Sequence, residues 1–237
     1  MRAALPDTYA TTRTDLHRLA VYVISPARAA VNGQITLRST PGGFGTPPFG
    51  STERQIRVDG TDLVVSQYRT ETVQEQITSL SRAAELAGIP LALEQQEAFD
   101  VPPYGDVDER LQVDANAAET LADWFAFAFA VLTEFRDECR VEDEPSPHVR
   151  LWPEHFDAAV DVGSGDRGGT YGLSPGDRYD PHPYVYASRW GENAPDPFYD
   201  SPFGGAWLRH ADVVAAPDPH AAAIGLLREA RRRRLGY

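Results

Sequence analysis

Apolar positions along this chain change period several times, and each change predicts an element. Leu16, Leu19, Ala20, Val23 and Ala27 recur at helical spacing behind the capping candidates Thr14 and Asp15. Pro26 is expected to end or kink that helix. Residues 34–39 alternate, with Ile35 and Leu37 on one face, and predict a strand. Ile56 and Val58, then Asp59-Gly60, then Leu63 and Val65 predict a hairpin whose turn suits positive φ. Thr72 and Glu75 have capping-box spacing ahead of a helix expected to stop at Gly88 and Pro90. The stretch LALEQQEAF is a further strand candidate, followed by the loop VPPYGDVD.

The second half repeats the alternation of elements without visible identity. Asn116 and Glu119 again have capping-box spacing. Behind them, Leu121, Trp124, Phe125, Ala128, Val131, Leu132 and Phe135 form a broad apolar surface, expected in a helix buried on more than one side. The acidic CRVEDEPSPH reads as a connector. Strands are expected at Phe156–Val162, Tyr171–Ser174, Tyr184–Trp190 and Gly204–Arg209. A last helix begins at Asp218 and Pro219, a favoured cap pairing, with Ile224, Leu227 and Ala230 inward. The order is helix, three strands, helix, then helix, three or four strands, helix, a possible pseudo-repeat. Strands joined by short turns imply an α+β fold with mostly antiparallel sheets and covering helices. A single compact domain over 1–237 is expected, with 1–113 and 114–237 as its possible halves.

Composition narrows the partners. The 237 residues carry 22 basic and 35 acidic side chains, a net charge of −13, which disfavours nucleic acid and anionic membranes. Lysine is absent, which reads as codon bias. The only cysteine, Cys139, excludes an intrachain disulfide framework and a multi-cysteine zinc site. The opening MRAALPDTYATTRTD lacks the apolar core of a secretory signal. The run WFAFAFAVLT is about half the ~20 residues a membrane span needs. A soluble, cytoplasmic protein is expected, with small molecules or proteins as its partners.

Candidate chemistry concentrates between Leu151 and Trp190. If 156–163 pairs with 169–174, Asp157 lies near Ser174; if 169–174 pairs with 184–190, Ser174 lies near Tyr184. One sheet end would then collect Glu154, His155 and Asp157 with Asp177, Asp180 and His182. Histidines and carboxylates together suit a divalent metal, with Glu154, His155, Asp177 and His182 as ligands. They equally suit acid–base catalysis by His155, Asp157 and His182. The alternative is structural: Asp177 in SPGD and Asp180 before Pro181 are ordinary turn residues. Asp157 and Asp161 are about 13 Å apart along their strand, too far to share a proton and compatible with a solvated face. Tyr184, Tyr186 and Trp190 on one face could line a ligand pocket. The loop PGGFGTPPFG has the glycines of a phosphate cradle but not its following helix or cation. It is expected to be irregular, either a shaped turn or a lid whose Phe44 closes over a ligand or plugs the core. Arg231 to Arg234 suit the negative end of the last helix.

The phrases TDLHRL, GGFGTPPF, SPHVRLWPEHFDAAV, GLSPGD with PHPYVYASRW, and DVVAAPDPHAAA occur in an order that resembles a bacterial domain-of-unknown-function family. That resemblance covers most of the chain. It implies a shared fold and supplies no activity. From the residues themselves, a non-catalytic module binding a small ligand or a protein is favoured over a metal-dependent or acid–base enzyme, since no nucleophile or cofactor motif is present.

Overall fold

The computed structural model describes residues 4–67, 72–91, 101–141, 147–191 and 195–236. These form helices and two five-stranded antiparallel sheets, the α+β architecture that the alternation of short strands and amphipathic helices implies. The chain divides into two compact units, one of Ala4–Ala126 with Leu151–Phe156, the other of Phe127–Arg150 with Asp157–Tyr237.

The first unit opens with α1 (Tyr9–Leu19) and α2 (Ser25–Asn32), joined by a π-helical turn over Ala20–Ile24. The helix thus begins earlier than expected. Thr14 sits inside it, returning its hydroxyl to the Ala10 carbonyl at 2.9 Å, and Asp15 pairs with Arg18 at 3.1 Å. Pro26 has no N–H for the carbonyl one turn back, and the ladder widens into the π turn immediately before it. The path therefore continues to Asn32, where Gly33 closes it at φ +71.

The first sheet is a meander of β1 (Arg38–Thr40), β2 (Gly43–Gly45), β3 (Gln55–Asp59), β4 (Asp62–Ser66) and β5 (Val73–Gln76). The expected hairpin is β3–β4: Ile56 faces Val65, Val58 faces Leu63, and Gly60 turns at φ +59. The first strand begins later than read, and only Leu37 of its expected pair is buried; Ile35 is 38% exposed. Residues 73–76 are strand rather than the start of a helix. The helix there, α3 (Leu80–Ala87), is capped by Ser79, whose side chain accepts from the Arg82 amide, while Glu75 is taken by Arg82. The strand proposed for LALEQQEAF lies almost wholly outside the described residues.

Helix α4 (Ala115–Val141) is capped by Asp114, which accepts from the amides of Asn116 and Ala117 at 3.1 and 3.0 Å. Asn116 is therefore already within the first turn. Leu121, Trp124, Phe125, Ala128, Val131, Leu132 and Phe135 are all buried, as the breadth of the apolar surface requires. Cys139, at the helix end where the acidic connector was expected to begin, is fully buried in the last turn of α4, and 142–146 lie outside the described residues.

Strand β6 (Arg150–Trp152) precedes the second sheet's meander of β7 (Asp157–Val162), β8 (Gly169–Ser174), β9 (Tyr184–Arg189) and β10 (Ala206–Arg209). Two helices follow, α5 (His210–Ala215) and α6 (Pro219–Leu235), the second capped by Asp218 on the Ala221 amide. Helix α6 turns Ala223, Ile224, Leu227 and Ala230 inward and packs on β8, β9 and β10. The strand face with Val160, Tyr171, Leu173, Val185 and Ala187 is thereby covered, and Phe135 of α4 meets Tyr171 at 4.7 Å. The side chains of the opposite face form the candidate site.

Candidate functional site on the second sheet

Register decides which side chains meet. Ala159 faces Gly172, Gly172 faces Tyr186, and Tyr186 faces Trp207. Two residues along, Ser174 faces Tyr184 and Tyr184 faces Arg209; two residues the other way, Asp161 faces Thr170 and Thr170 faces Ser188. The pairings expected between 156–163, 169–174 and 184–190 are therefore present. The period of two places Asp157, Asp161, Thr170, Ser174, Tyr184, Tyr186 and Trp207 on the face away from α6.

Gly172 is what lets this face close. A Cβ there would lie 2.5 Å from Cε1, Cζ and the hydroxyl oxygen of Tyr186, so the ring occupies the space above the glycine. It reaches across β8 and donates its hydroxyl proton to Asp157 on β7. Trp190 does the same over Gly168, where a Cβ would fall 2.0 Å from the indole Cε3. Its Nε1–H donates to Thr170 at 3.0 Å, and Thr170 donates to Asp161 at 2.8 Å. Asp157 is 6% exposed, which replaces the expected solvated face with a buried, hydrogen-bonded carboxylate.

At the open end of β8 and β9, Tyr184 donates to Asp177 at 2.5 Å. Asp177 also accepts from the amides of Tyr179 and Asp180 at 2.8 and 3.3 Å, an Asx turn that fixes the β8–β9 loop. Asp180 accepts from the His182 amide at 2.9 Å and meets the ring Nδ1 at 3.2 Å. Ser174 accepts from the Gly176 amide at 3.1 Å and also bonds the Tyr184 hydroxyl. Burial, then the bond to Asp157 and its charge, raise the Tyr186 hydroxyl well above the usual phenol range. Burial and the Asp177 bond do the same to Tyr184. Both phenols are protonated donors at neutral pH, and neither is a base.

Two rings unforeseen in the sequence complete the surface. Phe203 stacks on Tyr184 at 5.8 Å and 26°, meets Tyr186 edge-on at 6.1 Å, and meets Trp207 at 6.0 Å. Arg209 lies over the Trp207 ring at 4.3 Å. Trp207 was recoverable from the alternation of β10; Phe203 sits in a loop and carries no periodic signal.

The remaining expected residues are found as follows. Glu154 and His155 lie in the turn after β6 and belong to the first unit, whereas Asp157, Asp177 and His182 belong to the second. Among the described residues, no group of three or more His, Cys, Asp or Glu side chains could hold a metal ion. Phe44 is fully buried, with Phe125 and Phe156 at 5.8 and 5.0 Å, and its loop contains the strand β2. It fills the core of the first unit, so the loop is neither irregular throughout nor a lid over a ligand. A groove of about 380 Å³ in that unit, between Gln76–Ile77 and Arg110–Asp114, is lined by none of the expected site residues. No described helix is long and apolar enough to cross a membrane.

Compared with family models, with curated proteins and with solved structures, the chain matches none.

Proposed function

We propose that this protein is a non-catalytic binding module, and that its contact surface is the aromatic face of the second sheet. One observation carries this reading. The groups there that could perform acid–base chemistry are engaged with one another: Tyr186 with Asp157, Tyr184 with Asp177, Thr170 with Asp161, and Asp180 with His182. Ring surface is accessible beside them, since Tyr186, Trp190, Phe203 and Trp207 are each partly exposed. Rings pinned by hydrogen bonds lose little freedom on binding, which favours recognition over turnover. Membership of the bacterial family suggested by TDLHRL, GGFGTPPF and PHPYVYASRW is part of the same proposal; cytoplasmic placement is another part.

A thermal-shift screen of small polar molecules and peptides tests it. Ligands that raise the melting temperature of the wild type should lose that effect in Tyr186→Ala and Trp190→Ala. Turnover of any substrate that disappears in Asp157→Asn would overturn the non-catalytic reading.

A further inference from the structure

We propose that the ligand of this face is a neutral polyhydroxylated chain, an oligosaccharide, held against Tyr186 and Trp190. The proposal rests on the binding-module reading and names its ligand class. Each ring is laid across the sheet over a glycine, Tyr186 over Gly172 and Trp190 over Gly168. Each is anchored at its polar tip, to Asp157 and Thr170, so it is held in place without being withdrawn from solvent. The two positions are four residues apart on β9 and its end, roughly 13 Å along the strand, more than one six-membered ring needs. Ser188, Thr170 and Asp161 lie between them in register. The surface therefore alternates apolar planes with hydroxyl and carboxylate oxygens.

That alternation is complementary to a saccharide. Its C–H faces suit aromatic planes and its hydroxyls suit oxygen acceptors. A carboxylate has about four lone-pair sites, and Asp161 is engaged at one oxygen by Thr170. An anionic ligand would face Asp157 and Asp161 in a chain of net charge −13. A small cation would meet the same carboxylates but would leave the hydroxyls of Ser188 and Thr170 between the two rings without a donor or acceptor to match.

The test is calorimetry and tryptophan fluorescence with the full chain and five probes: cellohexaose, xylohexaose, maltohexaose, chitohexaose and, as a cation, tetramethylammonium. Saturable binding of at least one hexasaccharide is expected, with Kd of about 1 mM or tighter. Trp190→Ala and Tyr186→Ala should each weaken it about tenfold or more, while Tyr186→Phe and Trp190→Phe, which keep a ring, should weaken it less than about threefold. Near-UV circular dichroism confirms that each variant is folded, and the phenylalanine variants remain informative if the alanine ones are not. If no hexasaccharide binds, the ligand class is wrong; tetramethylammonium binding here instead would leave the module reading standing. Hexasaccharide binding that survives all four substitutions would overturn the face itself.

Discussion

Gly172→Ala isolates the contact on which the second sheet's polar face depends. The added methyl would sit 2.5 Å from three atoms of the Tyr186 ring, so the ring must move. Two costs follow. Overpacking of this kind is worth about 1–3 kcal/mol. Moving the ring also withdraws the hydroxyl from Asp157, a hydrogen bond to a charged group worth about 1.5–3 kcal/mol. Against these, alanine is preferred to glycine inside regular structure by about 0.5–1 kcal/mol. The net expectation is a loss of about 1.5–5.5 kcal/mol, or a fall in Tm on the order of 3–20 °C for a chain of this size. Thermal melting followed in the near-UV reads it directly. The decisive comparison is the same substitution in a Tyr186→Ala background, where the methyl has nothing to strike and should be neutral within about 0.5 kcal/mol or slightly stabilising. An undiminished loss there would refute the argument, since the cost would then arise from β8 itself.

Phe44→Ala should destabilise the first unit by about 3–5 kcal/mol, measured by urea denaturation, because a fully buried ring between Phe125 and Phe156 is removed. Asp114→Ala should cost about 1 kcal/mol through the lost cap of α4, while Asn116→Ala should stay within about 0.5 kcal/mol; equal effects would mean the cap is misplaced. His17 is buried, and burial lowers its pKa to about 3, so the folded state resists a proton that the unfolded chain accepts near 6.5. Its contribution is therefore complete above pH 6.5 and is lost as pH falls toward 3, by up to about 1.4 kcal/mol per pH unit. Denaturation at pH 4, 5, 6 and 7 should show that slope reduced in His17→Gln, and parallel curves would contradict the assignment.

The hydrophobic pattern was a good guide where one side chain in two, or one turn in a helix, met the core. It found the β3–β4 hairpin, α4, β7 to β10 and α6. It missed β2 because Gly43 and Gly45 look like loop residues. Yet a Cβ at Gly45 would fall 2.5 Å from Arg57 Cβ, so the glycine is what allows that strand to pair so closely. It missed β5 because Val73–Gln76 is an edge strand with mostly exposed side chains and no apolar face. At the site, register placed Asp157, Ser174 and Tyr184 in line. The Tyr186–Asp157 bond was hidden because it spans two strands and depends on a residue with no side chain. A glycine directly opposite an aromatic residue in an expected hairpin was the available signal.

Phe156 has φ +56, a conformation in which a bulky side chain is rare, and it is 1% exposed. Its ring stacks on His17 at 4.8 Å and meets Phe44 and Phe125 at 5.0 and 5.3 Å. Backbone and side chain therefore make opposite demands on one codon. Glycine would relax the chain and empty the cluster; asparagine would tolerate the turn and place an amide among three aromatic rings. Other large apolar residues would refill the space while keeping the strained backbone. Sequence drift at this position is thus blocked from both directions. Sequences sharing this fold should keep an aromatic residue there, or change Phe44, Phe125 and His17 together with it.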